Sequence, residues 1–135
     1  EYSDIELIEQ TFNNLFPNFS PWGGWARIVY RFRPHGDNPD ECILDTMLLA
    51  PWPKDKPKPP AAKLQMIDPD EPWVSCEDLG TLARIFDQDT ANITEVHKGL
   101  KTKNPPHVIY GAYQESIIRA FHDRYEQRLG LKEGE

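Results

Sequence analysis

The sequence predicts an α+β fold, and three stretches of it carry that expectation. Residues Ala26 to Phe32 alternate apolar and polar side chains, the period of a strand with one face buried. Leu82 to Leu100 repeats its apolar residues at helical spacing, and Tyr113 to Leu129 does the same. Two or more antiparallel strands are therefore expected to pack against a long helix and a C-terminal helix.

Each element follows from local chemistry. Ser3-Asp4-Ile5-Glu6 has the form of a capping box, a serine cap with an acid three residues on. A short helix is expected there, burying Ile5, Ile8 and Phe12 and ending by about Asn14, ahead of Pro17. Phe16 to Trp25 is rich in turn formers: Pro17, Asn18, Pro21, Gly23 and Gly24. In the strand that follows, Ala26, Ile28, Tyr30 and Phe32 share the expected buried face. Arg27, Val29, Arg31 and Arg33 share the other. A turn over Pro34 to Pro39 leads to a second strand, Cys42 to Ala50, and the two read as an antiparallel hairpin.

Pro51 to Pro60 holds five prolines and three lysines. Proline lacks the N–H that a helix or a central strand requires, so this stretch reads as an extended surface connection. Asp68 to Pro72 is a further turn. Ser75-Cys76-Glu77-Asp78 again fits a capping box, and the helix it opens is expected from about Cys76 to Lys98, with Gly99 near its end. After a loop through Asn104, Pro105 and Pro106, the last helix is expected from about Ala112 to Leu129, closed by Gly130. Its apolar side is Tyr113, Ile117, Ile118, Phe121, Tyr125 and Leu129. Trp22, Trp25, Trp52 and Trp73 each lie near a proline or glycine and are expected to pack loops onto the sheet.

Composition narrows the function classes. The 135 residues carry a formal net charge of −7, which disfavours nucleic acid and anionic membrane as partners. Lys54, Lys56, Lys58 and Lys63 alternate with prolines and read as a solvated linker. Cys42 and Cys76 stand far apart with no CxxC pair, so neither a zinc site nor an iron–sulfur cluster is built from them. Glu1 to Gln10 shows no signal peptide, and no apolar run approaches the roughly 20 residues of a membrane span. A reduced, cytoplasmic setting is the expectation.

Asp89 breaks the pattern of the long helix. At about 100° per residue, Leu82, Ile85, Phe86, Ile93, Val96 and Leu100 fall on one face. Arg84, Asp87, Glu95 and Lys98 fall on the opposite one. Asp89 projects from the apolar stripe. A carboxylate facing a core costs several kcal/mol unless it is paired or binds a metal. Three kinds of relief are open: a buried Arg or Lys, protonation with a raised pKa, or ligation of a cation.

The run Leu82-Ala83-Arg84-Ile85-Phe86-Asp87-Gln88-Asp89-Thr90-Ala91-Asn92, followed by Val96-His97-Lys98-Gly99-Leu100-Lys101, resembles the C-terminal region of Rieske-type non-haem iron aromatic-ring-hydroxylating oxygenase α subunits. Tyr113-Gln114-Glu115 with Ile118 and Phe121-His122 looks like that family's last helix. Phe16-Pro17-Asn18-Phe19 and Tyr30-Arg31-Phe32-Arg33-Pro34 with Gly36 also match. The resemblance spans roughly Phe16 to Leu129.

That resemblance implies a helix-grip type of fold, with an antiparallel sheet wrapped on a long helix. It implies that Asp89 is an iron ligand, one carboxylate of a two-histidine, one-carboxylate Fe(II) site with positions open for dioxygen. It further implies that Leu79, Leu82, Ile85 and Phe86 line the pocket of a flat apolar substrate. By helical position Asn92, one turn past Asp89, is open to two readings, a hydrogen bond that orients the carboxylate or a half-exposed helix residue, and so is His97, a supporting contact or a plain helix residue. The implied reaction is oxygenation of an aromatic or other apolar ring by O2. Its electrons come from NAD(P)H through a reductase or ferredoxin and a Rieske 2Fe-2S cluster, in a trimeric assembly. The family's iron histidines and Rieske motifs fall outside this sequence. The chain is therefore expected to be the C-terminal portion of the catalytic domain, inactive alone. In many relatives glutamine is expected where His97 stands.

A rival reading is a module of the same architecture that binds a hydrophobic ligand without metal or chemistry. The remaining histidines read blandly. His35 and His107 sit in turns. His122 and Glu126 are one turn apart, as residues on a solvated helix face commonly are.

Overall fold

A computed structural model of the chain describes residues 3–24 and 27–131. Trp25, Ala26 and the side chain of Glu6 lie outside the described residues, and with them the acid of the first capping box and the first residue of the expected strand. The chain divides into two compact units, residues 1–54 with 110–135, and residues 55–109.

The first unit contains a short helix α1 (Asp4–Ile8), strands β1 (Thr11–Phe12), β2 (Phe19–Gly23), β3 (Ile28–Pro34) and β4 (Cys42–Leu48), and the C-terminal helix α3 (Ser116–Leu129). The strands form one antiparallel sheet in the order β1-β2-β3-β4. The second unit holds two single 3₁₀ turns, Trp73–Ser75 and Glu77–Leu79, and the long helix α2 (Leu82–Thr102). Antiparallel strands with two long helices make the α+β composition that the sequence implied.

The β3–β4 hairpin is as expected, with Ile28 opposite Leu48 and Pro34 opposite Cys42. Its strict alternation is not. Ile28 and Val29 are both buried, whereas Phe32 is 40% exposed and Arg33 is half-buried. Across the hairpin, Asp45 stands opposite Arg31 and accepts hydrogen bonds from Arg31 and Arg33.

Two expectations near the start are corrected. α1 stops at Ile8, and Ile5, Ile8 and Phe12 are exposed, not buried. Phe12 belongs to β1, opposite Trp22, with the two rings edge to face at 4.5 Å. The stretch read as turns contains β2, Pro21 included. Both backbone polar groups of a strand residue point the same way, and the Pro21 carbonyl accepts a hydrogen bond from the Asn13 side chain, so its missing N–H interrupts no backbone ladder on that side. Asn18 secures the start of β2: its carboxamide donates to the Phe32 carbonyl at 2.6 Å, and its own carbonyl accepts the Phe32 N–H at 3.0 Å.

Both long helices start later than expected. Ser75 does not cap α2. The backbone turns as 3₁₀ helix over Trp73–Ser75 and again over Glu77–Leu79, with Cys76 extended between them, and is broken at Gly80, whose φ of 54° and ψ of −131° suit a residue without Cβ. α2 then starts at Leu82 and runs through Gly99 to Thr102. α3 starts at Ser116, not Ala112, because the preceding turn is held from within. The Glu115 carboxylate accepts the Gly111 N–H, and the Arg119 guanidinium donates to the carbonyls of Gly111 at 2.8 Å and Ala112 at 2.5 Å. Tyr113 therefore lies outside the helix and is exposed. Gly130 closes α3 as expected, in the left-handed conformation at φ 69°, with the Leu131 N–H returning to the Glu126 carbonyl.

The connection over residues 51–66 is exposed throughout. Of the tryptophans expected to pack loops, Trp22 is itself a strand residue, Trp52 is exposed and Trp73 packs on α2.

Candidate functional site

α2 has two apolar edges, and only one is used within its unit. Leu79, Ala83 and Phe86 are buried, at 8%, 1% and 4% exposure. The Trp73 ring lies 5.2 Å from that of Phe86, and the Asp87 carboxylate accepts the Trp73 backbone N–H at 2.6 Å. Thr90 turns its hydroxyl back to the Phe86 carbonyl at 2.7 Å. Ala83 permits this closure because a methyl group leaves room for the turn to approach the helix.

The second edge stays open. Ile85, Ile93, Val96 and Leu100 are each about half exposed, and Asp89 stands among them. Around the helix this edge lies about 80° from the packed one. Asp89 is thus exposed, which corrects the expectation that it faces a core. It makes no hydrogen bond or ion pair among the described residues, so neither burial nor an interior arginine accounts for its place in the stripe. The burial cost that singled it out in the sequence is absent from this chain. Its carboxylate is a free donor ringed by half-exposed aliphatic groups.

The other expected site residues divide between the two edges. Leu79 and Phe86 are buried, whereas Ile85, exposed, and Leu82, half-buried, lie on the side of α2 that carries Asp89. Asn92 is exposed and forms no hydrogen bond to Asp89. His97 is half-buried, two turns further along and on the side of the packed edge. Among the described residues, no three His, Cys, Asp or Glu side chains group so as to hold a metal ion.

Three features escaped the sequence reading. Asp87, assigned to the polar face, ties the Trp73 turn to α2. Asp45 takes three hydrogen bonds, from Arg33 Nε at 2.7 Å, Arg33 Nη2 at 2.9 Å and Arg31 Nε at 2.8 Å. The Arg33 hydrogen bonds, aided by Arg31, hold the Asp45 carboxyl down at about 2, and the same contact raises the pKa of Arg33. The third is a cleft of about 420 Å³ in the first unit, bordered by Asn18, Phe32, Ile117, Ile118, Phe121 and His122. None of the residues expected to line a substrate pocket borders it. The Asp45 cluster was legible from the hairpin register. The cleft was not, because residues far apart in sequence form it.

The histidines are as the sequence suggested. His35 pairs with Glu41 at 2.8 Å on the surface, and His107 is exposed. His122 bonds the Tyr110 hydroxyl through Nε2 at 3.1 Å.

A family model described as "Ring hydroxylating alpha subunit (catalytic domain)" matches residues 3–131. No curated protein and no solved structure matches the chain.

Proposed function

The chain belongs to the family of ring-hydroxylating α-subunit catalytic domains, and we propose that Asp89 is the carboxylate it contributes to a mononuclear iron centre. What carries this reading is the span of the family match, which takes in all of α2, together with the one free carboxylate on the open apolar edge of that helix. Iron(II) held by two imidazoles and a carboxylate keeps positions open for dioxygen, and that is the chemistry the metal would supply. The described residues do not complete such a site, so the two imidazoles have to come from outside them.

In this reading the chain is the C-terminal portion of a catalytic domain. The open edge of α2 is covered by the rest of that domain, which excludes water around Asp89 and forms an apolar wall, with Ile85 nearest, for an aromatic or other apolar ring. In this reading Asn92, one turn past Asp89, steadies the carboxylate once the edge is covered. Electrons come from NAD(P)H by way of a reductase or ferredoxin and a Rieske 2Fe-2S cluster elsewhere in the protein, and the α subunits assemble as trimers in the cytoplasm. No helix among the described residues is long and apolar enough to cross a membrane, which is compatible with that setting.

Iron titration and turnover test the proposal. The 135-residue chain alone should take up Fe(II) weakly, whereas a protein extended upstream to include two histidines should bind one iron per chain. In that longer protein, Asp89→Ala should abolish ring hydroxylation and iron retention with an unchanged circular dichroism spectrum. Full turnover by the variant would overturn the ligand assignment.

A further inference from the structure

We propose that the cleft beside α3 binds a small, flat apolar carboxylate, in a site that uses none of the residues assigned to iron or its substrate. Two adjoining hollows make it up, one of about 420 Å³ and one of about 210 Å³. They share Asn14, Ile117 and Phe121 as common borders. The larger falls within the roughly 300–1,000 Å³ usual for small-molecule clefts.

The two hollows differ in chemistry. Phe32, Ile117, Ile118 and Phe121 give the larger one apolar walls, and no charged residue borders it. Phe32, Ile117 and Ile118 are 40%, 63% and 41% exposed, apolar surface left facing water inside a concavity. His122 at its margin is fixed by the Tyr110 hydroxyl, with the two rings stacked at 5.5 Å. The smaller hollow is bordered by Arg124, the one charged residue on either lining. Arg124 makes no ion pair among the described residues.

A guanidinium without an ion pair among the described residues, set beside an apolar trough, selects for a ligand with a flat apolar body and one carboxylate at its end. The planar fork of arginine matches a carboxylate with two parallel hydrogen bonds. A bare inorganic anion would leave the apolar walls wet, and a neutral ring would leave Arg124 unpaired. The carboxamide of Asn14, which borders both hollows, can complete the polar contacts.

Titration of the full chain with 2-naphthoate and with its neutral counterpart 2-naphthamide tests this. Calorimetry and the methyl resonances of Ile117 and Ile118 are the readouts. Naphthoate should bind saturably and shift both methyl groups, and naphthamide should bind about tenfold more weakly, the difference a charge-assisted pair makes. Arg124→Gln should weaken naphthoate to the level of naphthamide, Ile118→Gln should weaken both, and Asp89→Ala should change neither. The last variant separates this site from the iron proposal, since either can fail while the other stands. Equal binding of the two compounds, naphthoate affinity unchanged in Arg124→Gln, or no saturable binding would each overturn the proposal.

Discussion

The carboxylate of Asp87 accepts the backbone N–H of Trp73 at 2.6 Å, across 14 residues of sequence. This single bond joins the first 3₁₀ turn to α2 and brings the Trp73 ring over Phe86. It therefore decides which edge of α2 is packed and which, with Asp89, is left open.

Removing that acceptor should loosen the turn. Asp87→Ala is expected to destabilise the unit by about 1–3 kcal/mol, the cost of a partly buried donor left unpaired. Asp87→Asn keeps an acceptor oxygen and should cost less. Urea unfolding followed by tryptophan fluorescence measures both, and an unchanged midpoint for the alanine variant would show that the bond holds nothing.

The two edges of α2 should respond differently to truncation. Phe86→Ala empties a position only 4% exposed and is expected to cost about 3–5 kcal/mol. Ile93→Ser, on the open edge at 57% exposure, should stay within about 0.5 kcal/mol of the unsubstituted chain. Comparable losses for the two would mean that the open edge is packed in solution.

Asp45 makes the sheet sensitive to acid. Its carboxyl sits at about 2 in the folded chain, against an ordinary value of 3.8, chiefly through the Arg33 hydrogen bonds. A lowered folded value means that the unfolded chain binds the proton first on acidification. The stabilisation is thus fully present above pH 4 and is lost as pH falls toward 2. Arg31 and Arg33 remain two-fifths or more exposed, so solvent screens the pair and its contribution is small. Thermal melts of Asp45→Asn from pH 5 to 2 should show a shallower acid limb than the unsubstituted chain.

Two glycines near α2 should respond with opposite sign. Gly80 has φ 54° and ψ −131°, and a side chain there is strained even with open space around it. Gly80→Ala should cost about 1–3 kcal/mol. Gly99 is helical, and a Cβ added there would meet nothing within 4 Å. Gly99→Ala should stabilise by about 0.5–1 kcal/mol, since alanine loses less backbone freedom on entering a helix. Chemical denaturation of each variant gives the sign directly.

The sequence by itself determined the kinds of element and the helical position of Asp89. Two strand-forming runs on either side of the turn-forming residues 34–39 produced the β3–β4 hairpin, the apolar repeats produced α2 and α3, and Gly130 ended α3 where its freedom at positive φ allowed. These are local properties, written in the spacing of neighbouring residues. Only the tertiary structure decided which side of α2 is covered, that Asp89 faces solvent, that Pro21 sits in a strand, and that Asn14, Phe32 and Ile117 border one cleft. Helical periodicity gives a side chain's direction around its own axis, but burial depends on what arrives from elsewhere in the chain. The Trp73 turn arrived at Ala83 and Phe86, and among the described residues nothing covered the stripe that carries Asp89.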